Sequence, residues 1–346
     1  MLLAALYSCQ AIYTLQNQKI KLSLDEVAFD TSQNLWRIPV QIHQKSIPFV
    51  FDTGAMFSAI FNADSLCPKE LQRAIKFGSV LGADHKKQPQ KLVVLPVSCR
   101  LFESENKVFA APTAPQIGCI KPENRVQGVL GMDLFFHQEK SLYLTYSTGR
   151  IVVKDRAETN TALLEQGYVL LPSKFKRNAL FVWAKIENQA FWFKLDSGFT
   201  GTTALPFSTK NSFQNPLKTV YEGAAFQTAL GHTFGREVFY SKMPLVLGKY
   251  KAKLQCVESR TIKEAVLGFK FMQGFDWVFD FRNKQLFAKR NARPIPENYV
   301  NLNAFHAVAG DKLRIGLKAV KAKSFSLGDE IVAVNGVKVT DKNRCE

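Results

Sequence analysis

Two segments of this chain, centred on Asp52-Thr53-Gly54 and Asp196-Ser197-Gly198, follow one pattern 144 positions apart. Aligned on their aspartates, Trp36/Leu180, Ile38/Val182, Val40/Ala184, Ile42/Ile186, Ile47/Phe191, Phe49/Phe193 and Phe51/Leu195 fall at matching places. Apolar residues at every second position mark strands with one buried face. Each half therefore predicts two strands around a tight turn, Gln44-Lys45 in one and Asn188-Gln189 in the other, with the acid closing the second strand. An Asp-Thr/Ser-Gly triplet arises by chance at on the order of one position in two thousand, so one copy would say little. Two copies inside a longer repeat describe a duplicated unit that brings one carboxylate from each half to a pseudo-twofold axis.

The repeat continues downstream. Val129-Leu130-Gly131 and Val266-Leu267-Gly268 end 79 and 72 residues after their aspartates. Each precedes a further strand pair, Leu142 to Val153 and Trp277 to Ala288, with turns at Ser147-Thr148-Gly149 and Arg282-Asn283-Lys284. On these residues, over 30–290, the chain resembles the pepsin and retropepsin superfamily, in which an Asp-Thr/Ser-Gly loop is braced by a later apolar-apolar-Gly segment in each lobe. The resemblance is closest to bacterial retropepsin-like proteins, because each half is short and Ala55 stands where pepsins carry Ser or Thr. The chain looks like a fused retropepsin dimer, a monomer acting as an intrachain pseudo-dimer.

The implied fold is mostly β, with two pseudo-symmetric β-barrel lobes and an active-site cleft between them. Its parts are an N-terminal segment 1–29, a first lobe 30–156, a second lobe 157–290, and a linker with a partial PDZ-like segment 291–346. The implied activity is that of an aspartic endopeptidase. Two carboxylates about 3 Å apart cannot both ionise cheaply, so they share a proton. One, as the anion, activates water; the other, protonated, assists the carbonyl, and no cofactor or metal is needed. Asp52 and Asp196 are the candidate catalytic residues. Gly54 and Gly198 would let the loop backbones approach and offer their N–H groups to the carboxylates. Thr53 and Ser197 would interlock across the axis, while Gly131 and Gly268 would let the bracing segments pass behind the loops.

Two departures from the family pattern matter. Pepsins use a hydroxyl after the glycine to lower the pKa of the acid, and here those positions are Ala55 and Phe199. The expectation is a dyad titrating above the pepsin range, active toward mildly acidic or near-neutral pH, with Gly201-Thr202-Thr203 as a second source of hydroxyls. Flap hairpins are expected at Phe77–Asp84 followed by Leu92–Val97, with Gly78 and Gly82, and at Phe226–Tyr240, with Gly231 and Gly235. Neither carries a counterpart of the pepsin flap tyrosine.

Composition narrows the alternatives. The net charge is +17, but the 46 Lys and Arg residues are spread along the chain without a nucleic-acid-binding module, so the charge reads as a solvated surface. The six cysteines form no CxxC pair and no Cys/His set with zinc spacing, and the five histidines are isolated. A disulfide among Cys67, Cys99 and Cys119 is open in an oxidising compartment. Helical signals are few, the clearest running from Ala63 to Phe77.

The apolar stretch Met1 to Ala11 resembles the end of a secretory signal, with Leu6-Tyr7-Ser8-Cys9 as an imperfect lipoprotein box, or else a first strand. The expected location is exported, periplasmic or cell-envelope associated, without a transmembrane span. Asn291 to Pro296 reads as a linker. Beyond it, Phe325 to Val337 resembles the Gly-Asp-x-Ile-x-x-Val-Asn-Gly core of a PDZ domain, with Gly328-Asp329 as a turn and Asn335-Gly336 as a hairpin. The expected partner is a peptide or protein substrate. The alternative is a catalytically inactive, protease-like scaffold that holds peptides without cutting them.

Overall fold

The computed structural model describes residues 15–29, 35–81, 87–112, 126–136, 138–208, 213–228, 231–299, 304–309, 312–340 and 343. The protein is mostly β, a pepsin-like arrangement of two lobes with the duplicated acid hairpins facing each other. In the first lobe Arg37–Ile42 pairs with Lys45–Phe51, setting Ile38 opposite Phe49 and Val40 opposite Ile47. In the second, Ala179–Ile186 pairs with Gln189–Asp196, setting Val182 opposite Phe193 and Ala184 opposite Phe191. The alternating residues are buried in both halves, Phe191 partly, which is why the register is fixed: a slip of one would turn the whole apolar set to solvent.

Each acid strand is flanked by its bracing segment in parallel. Val50 and Phe51 pair with Val129 and Leu130, while Leu195 and Asp196 pair with Leu267 and Gly268. The first lobe closes as an eight-stranded sheet that includes the long hairpin Lys87–Cys99/Phe102–Pro112. The second extends to ten strands around Lys218–Thr228, Gly231–Leu247 and Tyr250–Ser259.

A third sheet of six strands joins the halves. Ser141–Thr145 of the first half lies antiparallel to Phe275–Asp280 of the second, with Tyr143 opposite Val278, and their hairpin partners Arg150–Lys154 and Gln285–Arg290 lie outside them. One hydrophobic core runs through all of this. It contains Trp36, Phe51 and Leu130 from the first half and Leu195, Phe269, Trp277 and Phe279 from the second. Trp36 stacks with Phe51 and meets the edge of Phe269 from the other half, ring centroids 6.0 Å apart.

Several expectations need correction. The tight turns sit one residue earlier, at His43-Gln44 and Glu187-Asn188, and His43, Gln44 and Glu187 adopt positive φ. The helix expected from Ala63 to Phe77 is two short pieces, Ala63–Leu66 and Pro68–Gln72, and Ile75–Leu81 is a strand. Pro68 supplies no N–H to continue the first piece, and Phe77 lies in the strand paired with Lys87–Cys99. The segment 291–296 is no free linker. The N–H groups of Gln255 and Lys242 donate to the carbonyls of Pro296 and Glu297, and Ile295 is buried in the core.

The C-terminal hairpin Ala304–Ala309/Lys312–Ala319 extends the second-lobe sheet, with Tyr221 opposite Ala319 and Gly223 opposite Leu317. The small hairpin Ala333–Val334/Val337–Lys338 forms around Asn335-Gly336, both at positive φ. Cys67, Cys99 and Cys256 are free thiols, while Cys9, Cys119 and Cys345 lie outside the described residues. The stretch Met1 to Ala11 also lies outside them. Among the described residues no helix is long and apolar enough to cross a membrane.

Candidate active site

The two acid loops meet where the lobes join. The Thr53 N–H donates to Ser197 Oγ at 3.0 Å, and the Ser197 N–H donates to Thr53 Oγ1 at 3.0 Å. Each hydroxyl then donates past the axis, Thr53 to the Leu195 carbonyl at 3.0 Å and Ser197 to the Phe51 carbonyl at 2.9 Å. Both side chains are completely buried. Four reciprocal hydrogen bonds thus lock the loops, and none has water to substitute for it.

This lock presses the carboxylates together. A Cβ on Gly54 would stand 2.2 Å from Asp196 Cγ, and one on Gly198 would stand 2.3 Å from Asp52 Oδ2. Only glycine admits that approach. Gly131 and Gly268 also stand close to the loops, with Cβ positions 2.7 Å from the Phe57 backbone and 2.4 Å from the Gly201 carbonyl. The bracing bonds are matched as well: Met132 N–H donates to Ala55 O, and Phe269 N–H donates to Phe199 O.

The halves differ in how the acids are held. Asp52 Oδ1 accepts N–H groups from Gly54 at 2.7 Å, Ala55 at 3.2 Å and, across the axis, Gly198 at 3.2 Å. Asp196 Oδ1 accepts from Phe199 at 2.9 Å. Gly198 therefore serves the opposite carboxylate, contrary to a simple picture of each glycine serving its own. Burial pushes the Asp52 carboxyl up to about 7, helped by the negative charge of Asp196 and opposed by the Gly54 N–H and the Lys194 ammonium. The direction is the one expected for a site lacking the pepsin hydroxyls, but burial is the leading cause. Thr202 and Thr203 do not replace those hydroxyls: they donate instead to Gln255 Oε1 and the Val266 carbonyl.

Around the loops, Phe199 packs between Ala204, Val257, Ile262 and Phe226, its ring 5.9 Å from that of Phe226 in the hairpin Lys218–Thr228/Gly231–Leu247. The second expected flap segment is a hairpin that contains Gly231 and Gly235. The first differs from expectation: Ile75–Leu81, where Gly78 has positive φ, pairs with 87–92, while Leu92–Val97 pairs with Phe102–Pro112. Gly82, and with it the first turn, lies outside the described residues.

Two features went unread in the sequence. Ser58 donates to Asp133 Oδ1 at 2.8 Å and accepts from the Gly131 N–H, while the fully buried Lys107 ammonium pairs with Asp133 Oδ2. That network pins the first bracing segment. Lys194 lies beside the acids, its Nζ 3.6 Å from Asp196 Oδ2. Its signal was available, since position 194 is two before the acid and alternation sends both side chains to one face. Among the described residues no group of acidic, His and Cys side chains is placed to hold a metal.

Fold and site together define a two-lobed, pepsin-like β protein with a carboxyl pair at the lobe junction. No family model matches the chain, and no curated protein does. Among solved structures it is similar to basic 7S globulin from soybean, at 12% identity and TM-score 0.45, over 78% of this chain and 95% of that one. It is also similar to conglutin gamma, a basic 7S globulin from lupine seeds, at 12% identity and TM-score 0.46, over 80% and 96%. The recognition drawn from the motifs is therefore corrected. These two structures are described as basic 7S globulins and not as bacterial-type peptidases, and no family model matches. The pepsin-like layout stands; membership of that peptidase family does not.

Proposed function

We propose that the protein binds an extended polypeptide between its lobes and hydrolyses it with a water activated by the Asp52/Asp196 pair. The observation that carries this reading is the locked acid pair, with glycine at each point of closest approach and one carboxyl that keeps its proton to about pH 7. Holding two acids so close is costly, and a site that only binds has no use for it. In the reaction the anionic member takes a proton from water as it attacks the scissile carbonyl. The protonated member donates to the developing oxyanion, and the returned proton goes to the leaving amine. The apolar wall beside the second loop, Phe199 with Phe226, offers a surface for a substrate side chain.

A second reading has its own support: the cleft holds a polypeptide without cutting it. Neither Ala55 nor Phe199 carries a hydroxyl, and those of Thr202 and Thr203 are turned to other partners, so neither acid has a hydroxyl donor to stabilise its anion. The two are separated by incubating unfolded casein and a peptide library with wild type, Asp52→Asn and Asp196→Asn from pH 3 to 8. Hydrolysis in wild type, blocked by a statine-type inhibitor and lowered about 10²–10⁴-fold in each variant, supports the enzyme. Retained peptide binding with no cleavage at any pH overturns it in favour of the scaffold.

A further inference from the structure

The acid pair is symmetric in its loops but not in its charge. Lys194 precedes Asp196 by two residues in the strand Gln189–Asp196, so both side chains leave the same face. Its counterpart in the first half is Val50, which is buried and uncharged. The Lys194 ammonium lies 3.6 Å from Asp196 Oδ2, 3.7 Å from Glu264 Oε2 and 3.4 Å from the Gly54 carbonyl, with its side chain only 18% exposed. It therefore touches both halves of the site: the acid of the second loop and the backbone of the first.

We propose that Lys194 is a positioning residue that breaks the symmetry of the acid pair, holding the negative charge on Asp196 and leaving the shared proton on Asp52 Oδ2. The proposal deepens the hydrolytic reading by giving the roles: Asp196 is the base toward water, and Asp52 is the acid toward the carbonyl.

The charged groups acting on Lys194 come from three elements. They are Asp196 on its own strand, Glu264 just before the bracing strand Ala265–Gly268, and Asp52 at the end of the opposite acid strand. On the neighbouring strand Ala179–Ile186 the residue opposite it is Phe181, which carries no charge. Burial works against the ammonium, but these three carboxylates outweigh it and raise its pKa, so it is a full positive charge throughout the working range. A full charge near one member of a pair biases the proton toward the other.

Asp52 accepts three N–H groups and Asp196 one, a count that by itself favours the anion on Asp52. All three reach the same oxygen, Oδ1. That atom remains an acceptor in a neutral carboxyl, so a proton on Oδ2 breaks none of these bonds. Asp52 Oδ2 is also the oxygen nearest to the Cβ position of Gly198, on the side of the second loop.

The test reads protonation directly, without requiring turnover. The full chain is labelled with aspartate carrying ¹³C at the side-chain carboxyl. The signals of Asp52 and Asp196 are assigned as those lost in D52N and D196N, and both are followed through pH in wild type, K194M and K194R. In wild type, at the pH where one proton is bound, the Asp52 carbon should have the shift of an acid and the Asp196 carbon that of a carboxylate. In K194M both should move to intermediate values, with the upper apparent pKa of the pair raised by about 1 unit or more. K194R, which keeps the charge, should restore the one-sided pattern.

An unchanged proton distribution in folded K194M would overturn the proposal even if hydrolysis were established. The expected redistribution with no cleavage by wild type would sustain it and remove the hydrolytic reading instead. If K194M does not fold, K194Q removes the charge while keeping a donor for the Gly54 carbonyl, and the same two outcomes apply to it.

Discussion

Asp52 and Thr53 are neighbours whose substitutions should act in opposite directions. The folded Asp52 carboxyl is pushed up to about 7 from its ordinary 3.8, chiefly by burial. The folded state therefore binds this proton more tightly than the unfolded chain does, and the resulting stability is present in full below the ordinary value. It is lost as pH rises through about 7. The full swing is about 4 kcal/mol at most, three units at 1.36 kcal/mol each. Asp52→Asn removes the titration and keeps Oδ1 for the backbone donors, so the variant should be more stable than wild type at pH 8 and much closer to it at pH 4. Urea unfolding at the two pH values checks this; a wild-type stability independent of pH would contradict the buried proton. Thr53→Ala should do the reverse. It leaves the Ser197 N–H and the Leu195 carbonyl unpaired and buried, at roughly 1–3 kcal/mol each, whereas Thr53→Ser should cost far less.

At the level of elements, the acid hairpins were legible because both carry strict alternation and one face of each is buried. Their turns slid by one residue because alternation fixes which face a residue takes but not where pairing ends. The helix from Ala63 to Phe77 failed for a different reason: local pattern favoured it, but Phe77 belongs to a strand pairing that alternation over so short a stretch does not reveal. Lys194 and Lys107 read as solvated charges in a basic chain, and only the folded topology brings Asp196 to one and Asp133 to the other. Glu237 is a third such residue. It lies in the strand Gly231–Leu247, fully buried, with Oε1 near the Thr261 hydroxyl and Oε2 without a partner among the described residues. Burial raises its carboxyl to about 7 against the pull of the Ser259 and Thr261 hydroxyls. As with Asp52, a folded pKa above the ordinary value gives stability at low pH that is lost as pH rises through about 7. Glu237→Gln should raise the melting temperature above pH 7 and leave it nearly unchanged at pH 4. An equal shift at both values would show that the carboxyl is not the cause.

Across the whole molecule, the duplication has a consequence for how the chain unfolds. Two fused lobes with separate cores would melt separately, but here a six-stranded sheet takes three strands from each half, and one core runs beneath it. Ser141–Thr145 is paired along its length with Phe275–Asp280, and the loop lock adds four buried hydrogen bonds across the same junction. Neither half can keep its central strand satisfied alone, because each would expose an edge that the other now covers. Trp277 is the residue to test. It is fully buried in the second half, its indole N–H donates to the Met272 carbonyl, and its strand partner across the junction is Leu144. Trp277→Ala should cost about 3–5 kcal/mol, as large-to-small changes in packed cores do. The loss should appear equally in the first lobe, where Trp36 reports by fluorescence in a background with Trp183 and Trp192 replaced by Phe. Coincident transitions from Trp36 fluorescence and far-ultraviolet circular dichroism, shifted together by the substitution, are the expected result. A Trp36 transition that stays at its wild-type midpoint while the second half melts early would show two independent lobes, and the site at their junction would then be the first structure lost.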